Sequence, residues 1–392
     1  MRNGLEAVYQ AISEAAPYAL AEAARDALIA HTAAQDVELL LADYALAELR
    51  PVLDPALPGA GRTRVDGGEA GRAFTSQQPR WEQVSSVLHL PVAAHGERYG
   101  VLSVHLPDRP GPGEIRELGD VAAALVPGLR GADSLTDRYK RARRLERLTM
   151  AAEMQWDLLP GSGHHGNGYR VAGQLEPAYA VYGDNFDWSC APESLTVSIT
   201  NGMGDGMRAA LLTMLTVTAL RNARRSGADL TEQAGLADEA VYARFGGLEY
   251  VSTLLLDFDA VTGRLAIVEA GSPRMLRLRG ADVETIELDR QLPLGMFGNT
   301  AYTEQSLTLR PGDRLVVVSD GVYGARSSAD AGFGDELMET VVRSTRLQPA
   351  DEAVRTIVRG MLAFRKGVDV IDDAVVVCLD RTAREEPGTP SV

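Results

Sequence analysis

The chain has 392 residues, of which 45% are hydrophobic and 24% charged, and its formal net charge is −15. This length predicts two domains and a connector, and the acidic balance argues against a nucleic-acid binder, which needs basic surface to neutralise phosphates. The only cysteines, Cys190 and Cys378, exclude a disulfide framework and a thiolate metal cluster.

No segment of the sequence has the features of a targeting signal or a membrane anchor. The first residues, MRNGLEAVYQ, lack the apolar core of a signal peptide. No apolar run approaches the length needed to span a bilayer. We therefore expect a cytoplasmic protein that does not associate with membranes.

The first third of the chain mixes helical and extended patterns. The Ala-rich stretch at 11–32 has helical character, and the apolar run at 37–46 predicts a buried strand. Two more apolar runs, 87–94 and 101–106, flank a Gly-containing turn, which is a hairpin signature. A closing helix is expected over 114–129.

The strand pair LPV…GVLSV followed by a helix resembles the GAF family of small-molecule sensor domains. We predict a GAF-like sensor domain over residues 1–132. The resemblance implies an α+β domain with a small-molecule ligand, whose identity the sequence does not reveal.

Residues 133–160 are predicted to be a connector. Positions 133–159 contain neither Gly nor Pro, and Pro160 and Gly161 end the segment, so a single helix is expected. An apolar seam recurs at helical spacing through Leu145, Leu148, Ala152 and Leu159. The seam has two interpretations, packing against the protein's own domains or a parallel homodimer. The cationic cluster on this segment is typical of a solvated face.

The C-terminal domain is predicted over 161–382, with a flexible joint at 161–168 and a disordered tail at 383–392. Two helical stretches, 207–226 and 350–364, interrupt short β-rich segments. The predicted strands are 195–200, 251–259, 264–270, 274–279, 314–320 and 374–379. Their apolar or alternating patterns are typical of a two-layer β-sandwich.

Acidic residues stand at the ends of several predicted strands. Asp184 lies in YGDNFD, Asp320 ends the run VVVSDGV, and Asp372 and Asp373 open DDAVVV. Carboxylates that converge from strand ends suit a hard cation such as Mg²⁺ or Mn²⁺. Because no His follows His165, hydrolysis here would depend on metal-activated water. Taken singly, each Asp–Gly pair is also explained as a turn.

The order of the motifs resembles that of the PPM-type metal-dependent protein phosphatases, in particular the SpoIIE-like branch. The motifs are GDNFD (183–187), GDGMRAAL (204–211), AGSP (270–273), PLG (293–295), PGD (311–313), SDGV (319–322) and DD (372–373), and the preceding AEMQWDLLP (152–160) resembles the connector of such domains. The resemblance implies an αββα sandwich, in which two β-sheets lie face to face between layers of helices.

The same resemblance implies a site with two Mg²⁺ or Mn²⁺ ions that share a bridging water, which attacks the phosphorus of phosphoserine or phosphothreonine. The residues implied as metal contacts are Asp184, Asp320, Asp372 and the carbonyl of Gly202. Asp373 is expected to brace the loop, and Asp187 to be a supporting or structural residue.

The chain departs from the family pattern around this site. Asn201 stands where relatives carry the Asp that bridges both metals, and an amide offers one neutral oxygen in its place. Asp205, in the middle of G-x-G, either restores the missing charge or donates a proton to the leaving group. Further departures are Ser272 for His, Tyr182 for Gly, and Val375 for Thr or Ser.

Three functions follow from these patterns. The first is a serine/threonine phosphatase of weak or conditional activity that acts on a phosphorylated regulatory protein such as an anti-sigma-factor antagonist. The second is a pseudophosphatase that serves as a binding or scaffold module. The third is a ligand sensor in which the sandwich itself binds a small anion. The retained Asp184, Asp320 and Asp372 favour the first, whereas Asn201 favours the second.

Overall fold

The computed structural model describes residues 2–52, 62–145, 147–176, 182–271, 273–328, 332–366 and 372–384. The chain divides into two compact units, Met1–Arg147 and Leu148–Val392. Within the described residues, no helix combines the length and the apolar character that crossing a bilayer requires. Most of the predicted tail, from residue 385 onward, lies outside the described residues.

The N-terminal unit is an α+β domain built on one antiparallel sheet of six strands, in the order β3-β2-β1-β6-β5-β4. Its elements are α1 (Arg2–Glu14), a 3-10 helix (Pro17–Ala19), α2 (Leu20–His31), β1 (Asp36–Ala42), β2 (Glu48–Pro51), β3 (Thr63–Arg64), α3 (Gly68–Ser76), β4 (Arg80–Glu82), β5 (Val87–Ala94), β6 (Glu97–His105), α4 (Pro112–Ala132) and α5 (Arg138–Ala142). The predicted hairpin is confirmed as β5 and β6, and the closing helix as α4.

Both faces of this sheet are buried. Along β1, Val37, Leu39 and Leu41 face the cluster that α1, α2 and α4 cover, whereas Leu40 and Ala42 face the cluster beneath α3. This alternation follows from the period of two along a strand. The arrangement agrees with an α+β sensor domain, and the GAF-like assignment stays a prediction.

The expectation of one helix over the connector is wrong. Helix α4 ends at Ala132, α5 covers five residues, and a further helix, α6 (Met150–Leu158), begins only after a break. At the break, the Arg143 guanidinium donates to the Ala42 carbonyl and stacks over the rings of Tyr44 and Tyr99. The Thr149 hydroxyl then caps α6 by accepting from the Ala152 amide at 3.1 Å. These contacts outweigh the uninterrupted helical propensity.

The apolar seam of the connector packs within the chain. Leu148 and Ala152 are buried, and Leu159 packs against the core between the two C-terminal sheets. The structure thus supports intrachain packing for these three residues, and the homodimer stays a prediction.

The C-terminal unit contains two antiparallel sheets, ordered β15-β12-β11-β10-β9 and β14-β13-β16-β17-β8-β7. Besides α6, its elements are β7 (Gly163–Gly166), β8 (Tyr169–Glu176), β9 (Asp184–Cys190), β10 (Ser194–Gly202), α7 (Gly206–Arg225), α8 (Leu230–Phe245), β11 (Val251–Asp259), β12 (Arg264–Ala270), β13 (Arg274–Arg279), β14 (Asp282–Thr285), β15 (Gln305–Thr308), β16 (Arg314–Val318), α9 (Asp320–Tyr323), α10 (Gly334–Ser344), α11 (Ala350–Arg365) and β17 (Ala374–Arg381).

Three apolar layers show how these elements stack. Residues such as Ile199, Phe258 and Val377 form the core between the two sheets. A second cluster lies between the six-stranded sheet and α10 and α11, and a third between the five-stranded sheet and α7 and α8. Each fully buried Val, Leu, Ile or Phe side chain contributes about 1.5–3 kcal/mol. The layer order is helix, sheet, sheet, helix, and the predicted αββα sandwich is confirmed.

Several details of the sandwich differ from the expectation. The predicted joint at 161–168 contains β7, which pairs with β8 in a hairpin. The sequence did not predict helices α8, α9 and α10 or strands β8, β9, β14 and β15. A signal for α8 was present, because Asp229 and Glu232 form a capping box and Gly246 adopts the left-handed conformation at the other end.

Candidate metal centre

The predicted acidic residues meet at one edge of the sandwich. Asp184 starts β9 and lies directly opposite Asn201 near the end of β10. On the second sheet, Asp320 follows the end of β16, and Asp372 and Asp373 precede β17. Because neighbouring strands are antiparallel, the end of one and the start of the next fall at the same edge.

Asp184 is completely buried, and neither of its carboxylate oxygens makes a hydrogen bond of good geometry with the described residues. Burial raises the pKa of this carboxyl well above its usual value, and the charges of Asp373, Asp320 and Asp372 raise it further. The Ser319 hydroxyl acts in the opposite direction. A buried carboxyl in this situation lacks a counter-charge.

Asp373 joins the two sheets through its Oδ2 atom. This oxygen accepts from the backbone N–H groups of Tyr182 at 2.7 Å, Gly183 at 3.0 Å and Asp184 at 3.3 Å, and from the side-chain amide of Gln155 at 3.3 Å. Burial raises the pKa of Asp373 to about 6, although these hydrogen bonds oppose the shift. The contacts match the bracing role expected of this residue.

Asp320 begins α9, and Asp372 lies shortly before β17. The Asp320 Oδ1 atom accepts from the Asn201 side-chain amide at 2.5 Å and from the Gly321 N–H at 2.9 Å. Burial and the charge of Asp320 raise the pKa of Asp372 to about 6, and the Arg365 guanidinium opposes that shift. Asn201 therefore lies between the two sheets, beside Asp184 and bonded to Asp320.

Two glycines permit this close approach. Gly183 has φ +109°, and a side chain there would overlap the carbonyl oxygen of Gly202, whose N–H donates to the Gly183 carbonyl at 3.1 Å. A side chain at Gly321 would overlap the Asp373 carbonyl oxygen. Backbone packing thus requires glycine at positions 183 and 321, and the positive φ of Gly183 adds a conformational reason there.

Gln155 and Arg365 were missed by the sequence argument. The buried Gln155 amide, on α6, donates to the Asp184 carbonyl as well as to Asp373. The Arg365 guanidinium, at the end of α11, is also buried and donates to the Gly321 carbonyl at 2.6 Å. The motif AEMQWDLLP, which resembles the connector of such domains, could have drawn attention to Gln155. No sequence pattern marks Arg365, because the residues that contact it come from distant segments of the chain.

The remaining predicted residues lie around this group. Asp187 is buried in ion pairs with Arg221 at 2.8 Å and Arg224 at 3.1 Å, which agrees with a structural role. Asp205 is exposed at the residue before α7, and its charge acts on Arg208. Ser272 lies outside the described residues.

The two other departures from the family pattern, Val375 and Tyr182, place no metal-binding side chain in the acidic group. The buried Val375 offers no side-chain ligand, and its N–H donates to the Ser319 hydroxyl at 2.9 Å. Tyr182 is half-buried, and its N–H bonds to Asp373.

The donors fit a hard divalent cation in their chemistry. They are carboxylate, amide and carbonyl oxygens, and the two orphaned oxygens of Asp184 lie next to further carboxylates. The arrangement is nevertheless not a formed metal cage, because in the described part of the chain no three His, Cys, Asp or Glu side chains have metal-binding geometry. The Asn201 amide group instead donates to Asp320.

Residues 191–382 match the family described as stage II sporulation protein E (SpoIIE). The C-terminal unit contains a SpoIIE-family domain. The matched range includes Asn201, Gly202, Asp205, Asp320 and Asp372, whereas Asp184 precedes it.

Two curated proteins and a solved structure are similar to this chain. Protein IcfG of Synechocystis sp. is 24% identical over 267 residues, covering 61% of this chain and 42% of that protein. Stage II sporulation protein E of Bacillus subtilis is 23% identical over 198 residues, covering 46% of this chain and 24% of that protein. The chain thus spans less than half the length of either relative.

The SiaA-PP2C domain of Pseudomonas aeruginosa is 19% identical, with a TM-score of 0.50, and the match covers 60% of this chain and 94% of that domain. This likeness shows a shared PP2C-type fold.

Proposed function

We propose that the C-terminal unit is a metal-dependent phosphatase that removes phosphate from phosphoserine or phosphothreonine on a partner protein. The SpoIIE-like motifs suggest a regulatory protein such as an anti-sigma-factor antagonist as that partner. The N-terminal unit, as a GAF-like sensor of an unidentified small molecule, would supply the input. Activity is expected to be weak or conditional, because Asn201 replaces a bridging carboxylate.

The observation that carries this proposal is the orphaned Asp184 carboxylate. A fully buried carboxyl that makes no hydrogen bond of good geometry within the described residues, beside three other carboxyls, is unfavourable in a protein whose role is only structural. Clusters of buried carboxyls with raised pKa values are typical of functional sites. A divalent cation bound among these carboxylates would neutralise their negative charge.

Asp184, Asp320 and Asp372, with the Asn201 side-chain oxygen and the Gly202 carbonyl, would hold Mg²⁺ or Mn²⁺. When bound, these ions supply Lewis-acid activation of water and neutralise phosphate charge.

Side chains of the protein itself would hold the metal-binding residues in position. Asp373 and Gln155 fix the backbone at Asp184, and Arg365 fixes the turn at Gly321. Since no His follows residue 165, protons move through carboxylates or water, and the exposed Asp205 carboxyl would protonate the leaving oxygen.

Metal binding provides the first test. Adding Mn²⁺ to the full chain should raise its melting temperature by about 5–10 °C at a hundredfold excess over Kd, because the ion binds only the native state. Asp320→Asn should remove most of this rise, and the exposed Asp282→Asn on β14 should keep it. The matched assay is Mn²⁺-dependent release of phosphate from a phosphoserine peptide. If millimolar Mn²⁺ did not change the melting temperature of the wild-type protein, the proposed metal centre would be refuted.

Asp205 provides a second test, which separates proton transfer from metal binding. Asp205→Asn should leave the Mn²⁺-induced rise in melting temperature unchanged, because this side chain is exposed outside the buried group. Stability should fall by only about 0.3–1 kcal/mol through the lost charge at the start of α7. Phosphoserine turnover should fall about tenfold or more. Loss of the Mn²⁺ response would instead make Asp205 a ligand.

A second candidate function is a pseudophosphatase that binds its partner without turnover. The hydrogen bond from the Asn201 amide to Asp320 favours it, because it engages a carboxylate that metal binding would need. Wild-type protein that binds a phosphoserine peptide and Mn²⁺ but releases no phosphate would select this function.

A further inference from the structure

Apolar side chains are exposed along one side of α7. Met207, Leu211 and Met214 are spaced by four and three residues, so they lie on one face of the helix, and each exposes more than a third of its surface. The outward face of a helix that covers a sheet normally carries polar residues. Leu248, between α8 and β11, is 83% exposed. These side chains form an apolar surface beyond what the packing of α7 on its sheet requires.

The first half of α7 and the end of α8 flank a groove in this surface. The groove has a volume of about 600 Å³, and its walls include Leu211, Met214, Phe245 and Leu248. This volume falls within the range of about 300–1,000 Å³ that is usual for ligand-binding pockets. Unbranched methionine side chains adapt their shape to different apolar partners. The groove therefore suits the apolar side chains of a peptide segment.

The lining of the groove is positively charged, unlike the chain as a whole. Arg208 pairs with the buried Glu249. Arg244 is exposed, and its guanidinium carbon lies 5.0 Å from the centroid of the Phe245 ring. Two Arg against one Glu leave a net charge of +1 on the lining, in a chain whose net charge is −15. An acidic segment complements this lining. A second copy of the chain complements it less well, because a two-fold interface brings the same positive lining to both sides.

The groove begins beside the candidate metal centre. Gly202, a proposed metal contact, ends β10, and Asp205 is the residue before α7. Since a helix rises about 1.5 Å per residue, the α7 residues that line the groove, from Arg208 to Leu215, follow Asp205 at about 5–15 Å along the helix axis. An extended chain spans this distance with about two to five residues. A segment in the groove can therefore belong to the same stretch of chain as a phosphorylated residue at the metal centre.

We propose that this groove binds the phosphorylated partner protein through an acidic segment with apolar side chains, about two to five residues from the phosphoserine or phosphothreonine. This inference rests on the proposed phosphatase function and names the feature by which the partner is recognised. The apolar side chains of the segment pack against Leu211 and Leu248, and an acidic side chain approaches Arg244. Because the groove is separate from the acidic group, this contact lowers KM and adds nothing to the chemical step.

The test measures the binding of three synthetic peptides to the full chain in Mn²⁺ by fluorescence anisotropy. The first peptide carries a non-hydrolysable phosphonate in place of the phosphate of phosphoserine, with leucines and aspartates about two to five residues away on either side. The second has serines instead of the leucines, and the third has lysines instead of the aspartates. The wild-type protein should bind the first peptide about tenfold more tightly than the second or the third.

Two variants of the groove, each with a matched control, locate the binding. Leu248→Ser should weaken binding of the first peptide about tenfold and should bind the serine peptide as the wild type does, because only the apolar contact is lost. Leu347→Ser is its control, since Leu347 is 87% exposed between α10 and α11. Arg244→Glu should weaken binding of the first peptide about threefold or more and should prefer the lysine peptide. Arg225→Glu is the control for this charge reversal, because each arginine lies in the last turn of its helix.

Hydrolysis of the corresponding phosphoserine peptide separates this inference from the function on which it rests. Leu248→Ser should raise KM for the leucine peptide more than it lowers kcat. Peptide binding that depends on Leu248 and Arg244, without any hydrolysis, would support the groove and reject the phosphatase. Hydrolysis with the same KM in wild type, Leu248→Ser and Arg244→Glu would overturn the groove and keep the phosphatase.

Two further results would also overturn the groove as the partner's binding site. One is equal affinity of the wild-type protein for the leucine and serine peptides. The other is a wild-type dimer that light scattering shows to become monomeric in Leu248→Ser, because a second copy of the chain would then occupy this surface. If Leu248→Ser does not fold, Leu211→Ser decides by the same criteria.

Discussion

Asp184→Asn should make the metal-free protein more stable and at the same time abolish its response to Mn²⁺. The carboxyl is fully buried, makes no hydrogen bond of good geometry in the described part of the chain, and lies beside Asp373, Asp320 and Asp372. An amide removes the uncompensated charge and can donate to a neighbouring carboxylate, as Asn201 does. We expect the free energy of unfolding to rise by about 1–2 kcal/mol. Thermal unfolding with and without Mn²⁺ measures both effects.

The matched control for this substitution is Asp187→Asn. Asp187 is on the same strand and is equally enclosed, but Arg221 and Arg224 neutralise it. Removing its charge leaves those guanidinium groups without this counter-charge, so stability should fall by about 3 kcal/mol. The same Asp→Asn substitution is thus expected to raise the free energy of unfolding at position 184 and to lower it at position 187. If Asp184→Asn also destabilised the metal-free protein, or if it kept the Mn²⁺ response, the carboxyl would be structural and the proposed centre would lose its principal ligand.

Asn201→Asp should have the reverse effect, with a less stable metal-free protein and tighter metal binding. The amide at this position donates to Asp320 and faces Asp184 across the strand pair. A carboxylate cannot donate, and it adds a charge to a group that already lacks counter-charge, so the metal-free protein should lose about 1–3 kcal/mol. The same charge should raise Mn²⁺ affinity about tenfold or more, because oxygen ligands bind hard cations through their charge.

Calorimetry with Mn²⁺ and hydrolysis of a phosphoserine peptide measure the two consequences of Asn201→Asp separately. Asn222→Asp is the control, because it adds the same charge at an exposed position on α7. A rise in both affinity and turnover would support a weakened phosphatase. Tighter Mn²⁺ binding without turnover would indicate a binding module that has also lost its substrate geometry. Unchanged Mn²⁺ affinity would show that residue 201 does not face the ions.

The sandwich was largely predictable from the sequence because its signals are local. Apolar alternation identified strands β10, β11, β12, β13 and β17 within a residue or two at most ends. The order of the Asp-containing motifs indicated the family, and Asp184, Asp320, Asp372 and Asp373 do come to one edge of the sandwich. Strand periodicity and turn glycines depend on residues that are close in the sequence, so the sequence pattern alone reveals them.

What the sequence by itself determined is strands β10 to β13, β16 and β17 and the identity of the acidic group, whereas the layer order was implied by the resemblance to the phosphatases. The tertiary structure decided where the connector breaks, because Arg143 contacts Ala42, Tyr44 and Tyr99, which are all distant from it in the sequence, and no local pattern encodes these contacts. It also decided that Gln155 and Arg365 support the acidic loops. Whether a carboxylate is paired, like Asp187, or orphaned, like Asp184, depends on which charges the folded chain brings within a few ångströms.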